Sequence, residues 1–165
     1  MNSIAVIGTG YVGLVIGTCL SEFGLNVLCM DTDAQKVANL SKGKIPIYEP
    51  GLPALTAKNV AFGRLRFSTD FVEAVNFLSV IFIAVNTSLG EDRSADLPHV
   101  LAAVEAIAKH LSDYWVIVNK STVPVGIAHR VNEVIAAGLK RRGLILDFDV
   151  IDVTAEVVTE GRVIS

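Results

Sequence analysis

Short apolar runs rich in β-branched residues alternate along this chain with longer stretches of helical spacing. Ser3 to Ile7 is such a run; it ends at Gly8 and reads as a buried parallel strand. Tyr11 to Phe23 has helical length, and Gly24 is its stop signal. Asn26 to Met30 is a second apolar run, closed by Asp31, and Asp33 is placed to cap a helix that contains Lys36 and Val37. "GKIPIYEPGLPAL", from Gly43, predicts a loop punctuated by Pro and Gly that leads into a short helix. "RLRFSTD" predicts a short strand ending at a cap, Thr69 or Asp70, before another helix. "SVIFIAV", residues 79–85, is the most apolar strand, and the polar loop "NTSLGEDRSAD" follows it. Apolar residues at 97, 100, 101, 104, 107, 108 and 111 predict a helix from Leu97 to Leu111. "WVIVNKS" reads as a strand, Pro124 suits the first turn of a helix running to about Leu139, and "ILDFDVIDV" is the last strand.

Strands and helices that alternate over the whole length predict an α/β fold, Rossmann-type and doubly wound, with a mainly parallel sheet and helices on both faces. No repeat, low-complexity tract or linker interrupts the pattern, so residues 1–153 are expected to form one domain. Residues 154–165 are an unplaced C-terminal tail. Hydrophobic residues make up 52% of the chain and charged residues 19%, which fits a sheet covered on both faces. The net charge of −3 and the absence of a long basic run argue against a nucleic-acid partner. The densest basic cluster, Lys140-Arg141-Arg142, reads as a solvated helix end, where cations are favoured.

Two cysteines, Cys19 and Cys29, both lie in apolar surroundings and are expected to be small buried residues of a reducing compartment. Residues 1–21 carry no charged side chain, but the basic start of a signal peptide is missing and Gly8-Thr9-Gly10 breaks the apolar run. The expectation is no targeting segment, no membrane span and a cytoplasmic protein.

The segment "AVIGTGYVG", residues 5–13, carries the clearest chemistry. G-x-G-x-x-G alone is a weak signal, and its context decides. Here it follows a strand and opens a helix, and Asp31 ends the next strand 18 residues after Gly13. Gly8 permits a tight turn, Gly10 lets backbone approach a pyrophosphate, and Gly13 lets the helix pack closely. The N–H groups around Tyr11 and Val12 stand at the positive end of that helix. Asp31 can accept hydrogen bonds from an adenosine ribose, and its charge would repel a 2′-phosphate, so NAD is favoured over NADP. The bland alternative is a turn that merely needs glycine, with Asp31 as a helix-flanking residue. Gly17, four residues after Gly13, reads as a close helix–sheet contact.

"AVIGTGYVGL", "GKIPIYEPGL", "GRLRFSTD", "IFIAVNT", "GEDRSADL" and "NKSTVPVG" occur in this order. Together they resemble the N-terminal half of the UDP-glucose/GDP-mannose dehydrogenase family over residues 3 to about 150, and "KSTVPVG" favours the UDP-glucose branch. The resemblance implies two NAD-dependent oxidations of the C6 alcohol of UDP-glucose to a carboxylate. It places Gly8, Gly10, Tyr11, Val12 and Gly13 on the pyrophosphate, and Asp31 and Lys36 on the adenosine ribose. Thr87 would lie along the cofactor. Thr122 would lie near the nicotinamide and a catalytic water, and Glu160 would assist catalysis. Both threonines could equally cap the turns that follow them.

The family usually continues with "SNPEFLxEG", where this chain reads "VTAEVVTEG" from Val153; Glu156, Glu160 and Gly161 keep the pattern. The family's nucleophilic cysteine matches neither Cys19 nor Cys29. The residues for the small-molecule substrate would lie mostly in a C-terminal half beyond this chain, and the full-length form could be a homodimer. The chain alone is therefore expected to bind NAD without turnover. The alternatives are a non-catalytic NAD-binding module and an oligomerisation domain that keeps only the fold.

Overall fold

The computed structural model describes residues 3–76, 80–85, 97–121 and 127–153. Six strands form one sheet: β1 (Ser3–Ile7), β2 (Asn26–Met30), β3 (Leu65–Ser68), β4 (Val80–Ile83), β5 (Trp115–Asn119) and β6 (Phe148–Asp152). Their spatial order is β3-β2-β1-β4-β5-β6, and every pairing is parallel. The six helices described are α1 (Tyr11–Glu22), α2 (Ala34–Ser41), α3 (Leu52–Ala61), α4 (Phe71–Asn76), α5 (Leu97–His110) and α6 (Ile127–Arg141). The order reverses between β1 and β4. At such a switch point the loops leave the sheet in opposite directions and open a crevice at the C-terminal strand ends.

Successive side chains of a strand point to opposite faces, and here each face has its own cover. Ala5, Ile7, Leu28, Met30, Ile81, Ile83, Trp115 and Ile117 pack with residues of α4, α5 and α6. Val6, Val27, Cys29 and Leu65 form the opposite core, with Ile16 and Leu20 of α1 and Val60 of α3 packed against it. The chain is apolar because most strand positions serve a buried face.

Each helix shows a local reason for its limits. Asp33 caps α2 by accepting from Lys36 N at 3.0 Å. Of the two candidate caps before α4, Asp70 takes the role, accepting from Val72 N at 2.8 Å and Glu73 N at 3.1 Å. On α6, Ile127, Val131, Ile135 and Leu139 repeat every four residues and are buried. Gly138 lies on that stripe, and a Cβ there would stand 2.6 Å from Ala108 Cβ, so the α5–α6 contact depends on its absence. Arg142, part of the basic cluster, donates to the carbonyls of Ala108 at 3.0 Å and Leu111 at 2.6 Å. It caps the end of the neighbouring helix rather than only ending its own.

One expectation is corrected. Cys29 is fully buried in β2, but Cys19 is exposed on α1. The buried positions of α1 are Gly13, Leu14, Gly17, Thr18 and Ser21, and Cys19 falls outside that stripe. Its neighbours in sequence are apolar nearly all round, so periodicity could not tell the inner face from the outer one.

Candidate cofactor site at the C-terminal sheet edge

Residues 8–10 join β1 to α1, and Gly8 lies against Ala84 and Val85, the residues that follow β4. Gly8 has φ +100°, in the region that favours glycine, and a Cβ on it would lie 2.5 Å from Ala84 O. A Cβ on Gly13 would lie 2.0 Å from Gly8 O, so the first turn of α1 sits directly on the carbonyl of the loop that feeds it. Gly10 is the N-cap with extended backbone, φ −69° and ψ −168°. Its value is therefore not a special dihedral angle but the lack of a side chain. It cannot cap the helix, so the N–H groups of Tyr11, Val12 and Gly13 are left for an outside acceptor. The first bond within the helix is Leu14 N to Gly10 O at 3.0 Å. Tyr11 and Val12 are exposed, which keeps that end of the helix open.

The parallel register brings the acid to the same turn. Ile7 pairs with Met30, and Gly8 N donates to Met30 O at 2.8 Å, so the next residues on each strand exit side by side. Asp31 Oδ2 accepts from Thr9 N at 2.9 Å, from Thr9 Oγ1 at 2.6 Å and from Lys36 Nζ at 2.7 Å. Asp31 Oδ1 accepts from Asp33 N at 3.1 Å. Partial burial works to raise the Asp31 pKa. The Lys36 ammonium and the hydrogen bonds from Thr9 and Asp33 outweigh it and hold the carboxyl at about 2. Asp31 and Lys36, each expected to meet the ribose, are thus also paired with each other.

A cleft of about 580 Å³ opens from this turn. Gly8, Thr9, Gly10, Asp31 and Lys36 form its polar end, and Phe71, Val85, Ala102, Ala103 and Ala106 form an apolar wall. The three alanines of α5 are small, which leaves room for a flat ring between helix and sheet edge. His99 lines the same cleft. The donor set fits a dinucleotide: bare helical N–H groups for phosphate, a carboxylate for hydroxyls and an apolar slot for a base.

Sequence reasoning missed two members of this site. Thr9 entered only as a spacer between glycines; the register sets Gly8 beside Asp31, and Thr9, one residue further on, turns back to donate to the carboxylate. Glu49, in the "IPIYEPGL" loop, accepts a hydrogen bond from the Tyr11 hydroxyl and so ties that loop to the glycine turn. That contact spans 38 residues, and no periodicity announces it. Thr87, Thr122 and Glu160 lie outside the described residues, as does Pro124. The strand ends that lead toward the two threonines are described. Lys120 N donates to Ile83 O at 2.8 Å, and buried Asn119 accepts from Ser121 N at 3.2 Å and donates to Asp152 Oδ1 at 3.1 Å.

Residues 2–165 match the NAD binding domain of the UDP-glucose/GDP-mannose dehydrogenase family. The chain belongs to that family. It is 48% identical over 164 residues to UDP-glucose 6-dehydrogenase TuaD of Bacillus subtilis, a match covering 99% of this chain and 35% of that protein. It is also 48% identical over 139 residues to a UDP-glucose 6-dehydrogenase of Pseudomonas aeruginosa, covering 84% of this chain and 31% of that one. Among solved structures it resembles a UDP-glucose dehydrogenase from Pyrobaculum islandicum, with a TM-score of 0.83 and 33% identity, over 94% of this chain and 36% of that one. A ternary complex of GDP-mannose dehydrogenase from Pseudomonas aeruginosa gives the same TM-score at 34% identity, over 93% and 36%. The chain thus spans about a third of the length of these relatives. It is an NAD-binding domain of Rossmann type, and no described helix is long and apolar enough to cross a membrane.

Proposed function

We propose that this chain is the cofactor-binding part of a UDP-glucose 6-dehydrogenase, whose reaction takes the C6 alcohol of UDP-glucose to a carboxylate in two NAD-dependent steps. The observation that carries the cofactor assignment is the juxtaposition of the bare α1 N-terminus with Asp31 at the mouth of one cleft. In this reading Gly8, Gly10, Tyr11, Val12 and Gly13 hold the pyrophosphate. Asp31 and Lys36 hold the adenosine ribose, and the base enters the slot beside the α5 alanines. NAD supplies the hydride acceptor when bound. Thr87 and Thr122 are proposed to line the nicotinamide half, with Thr122 orienting a water and Glu160 assisting proton transfer. The substrate reading is supported by the names of the relatives and by the "KSTVPVG" motif.

Titration with NADH and NADPH, followed by fluorescence or calorimetry, tests the cofactor reading. NADH is expected to bind more tightly, Asp31→Ala to weaken it by about 1–3 kcal/mol, and Gly10→Val to abolish binding with the circular dichroism spectrum retained. Equal affinities for the two cofactors overturn the Asp31 assignment. Binding retained in Gly10→Val would leave the turn a purely structural role.

A specific observation favours binding without turnover by the chain alone. Oxidation of an alcohol to an acid passes through an aldehyde-level intermediate, which enzymes commonly hold as a covalent adduct. Neither cysteine is placed to do so: Cys29 is sealed beneath α1, and Cys19 lies on the surface of α1 away from the lining of the cleft. With UDP-glucose and NAD, the chain is expected to make no NADH above background. Steady production lost in Cys19→Ser or Cys29→Ser would overturn this.

A further inference from the structure

The four hydrogen bonds on Asp31 from described residues are divided unequally. Three converge on Oδ2 within 3 Å, two of them from Thr9, and one reaches Oδ1 from Asp33 N at 3.1 Å. A carboxylate oxygen has lone pairs for about two donors, so Oδ2 is full while Oδ1 keeps capacity. Thr9 is only 1% exposed, so water does not compete for its hydroxyl. The positive φ of the turn falls on Gly8 and its close approaches on Gly8 and Gly13, not on Thr9.

We propose that Thr9 is a positioning residue for the cofactor, fixing through its hydroxyl which oxygen of Asp31 is offered to the vicinal hydroxyls of a ribose. The inference rests on the reading of Asp31 as the ribose acceptor. With Oδ2 held by Thr9 and Lys36, the carboxylate cannot swing, and Oδ1 is the oxygen an incoming hydroxyl meets. Lys36 of α2 favours the anion, the Asp33 N–H donates to it while the Asp33 carboxylate is turned to Lys36 N as the α2 cap, and His99 of α5 lines the same cleft. The Thr9 hydroxyl adds to the groups that keep Asp31 ionised, in line with its pKa of about 2. Thr9 therefore governs affinity through Asp31, not by its own contact with the cofactor.

The test compares wild-type chain with Thr9→Val, Thr9→Ser, Asp31→Ala and the Thr9→Val/Asp31→Ala double variant. NADH binding is read by fluorescence, and the Asp31 carboxyl carbon is followed by NMR from pH 6 to 3 without ligand. Thr9→Val is expected to bind NADH roughly tenfold more weakly, the loss of one hydrogen bond to a charged group. Its Asp31 should begin to protonate at higher pH than in wild type. Thr9→Ser should restore both readouts. In the double variant the valine should add no further loss, since its effect runs through Asp31. If Asp31→Ala weakens binding while Thr9→Val does not, or if valine adds a further loss on the Asp31→Ala background, the proposal is overturned and the ribose reading survives. If wild type fails to bind NADH, or Asp31→Ala binds as tightly, the ribose reading fails and the proposal with it. The carboxyl titration then still reports whether Thr9 and Asp31 are linked.

Discussion

Gly13 and Gly17 share the buried face of α1, yet different neighbours exclude a side chain at each. At Gly13 the obstacle is backbone, Gly8 O at 2.0 Å from a Cβ; at Gly17 it is Cys29 Sγ at 2.4 Å. A backbone obstacle cannot rotate away. Gly13→Ala is therefore expected to cost more than about 2 kcal/mol and to weaken NADH binding, because the start of α1 must shift. Gly17→Ala should cost about 1–3 kcal/mol, and Cys29→Ala should recover part of it, since that variant removes the clashing sulfur. Urea unfolding of the four chains in a double-mutant cycle measures the coupling. The two thiols should also differ in reactivity. Burial pushes Cys29 up to about 12 from 9.0, whereas Cys19 is exposed. A thiol reagent is expected to label Cys19 in the folded chain and Cys29 only after denaturation. The close approach at Gly13 was legible in the glycine fingerprint, and that at Gly17 in its position four residues further along the same helix face. The exposure of Cys19 was not, because an apolar helix gives no phase to its own pattern.

Helix ends follow the same division. Asp33 announces its cap by sequence position alone, because capping is local and needs only a short polar side chain before a helix. Arg142 does not: its partners, the carbonyls of Ala108 in the last turn of α5 and of Leu111 just past its end, lie more than thirty residues away. From sequence it is one of three basic residues at a helix end. In the fold it is the cation that satisfies the last carbonyls of another helix. Arg142→Met should cost about 1–2 kcal/mol, whereas Arg141→Met should lie within about 0.5 kcal/mol of wild type, as surface substitutions usually do. Thermal unfolding of both variants separates the two roles. The Thr18–Thr56 hydroxyl pair, at 3.0 Å between α1 and α3, was hidden for the same reason.

Across the whole molecule, the ionisation of Asp31 links the candidate cofactor site to stability. Its folded pKa of about 2 lies below the ordinary 3.8, so the folded state binds the proton less readily than the unfolded chain. The stabilisation is complete above about pH 4 and is lost as pH falls toward 2. With solvent screening allowed for, it amounts to about 1 kcal/mol. Asp31→Asn should thus be less stable than wild type at pH 6, with the difference shrinking toward pH 3, as urea unfolding at the two values would show. NADH should raise the melting temperature of wild type with concentration, because a ligand that binds only the folded state stabilises it by mass action.

The six strands, their alternation with helices, the glycine turn and the acid one residue past β2 could all be read from the chain by itself. Each depends on spacing along a few neighbouring residues: a period of two or 3.6, a cap, a glycine where no Cβ fits. The tertiary structure decided which face of α1 is wet, which of two candidates caps α4, and that Thr9 and Lys36 close on one oxygen of Asp31. It also decided that Glu49 reaches Tyr11 and that Arg142 serves α5. These contacts join residues that become neighbours only once parallel register and helix packing have set the strand ends side by side. Spacing within one element carries no information about a partner in another.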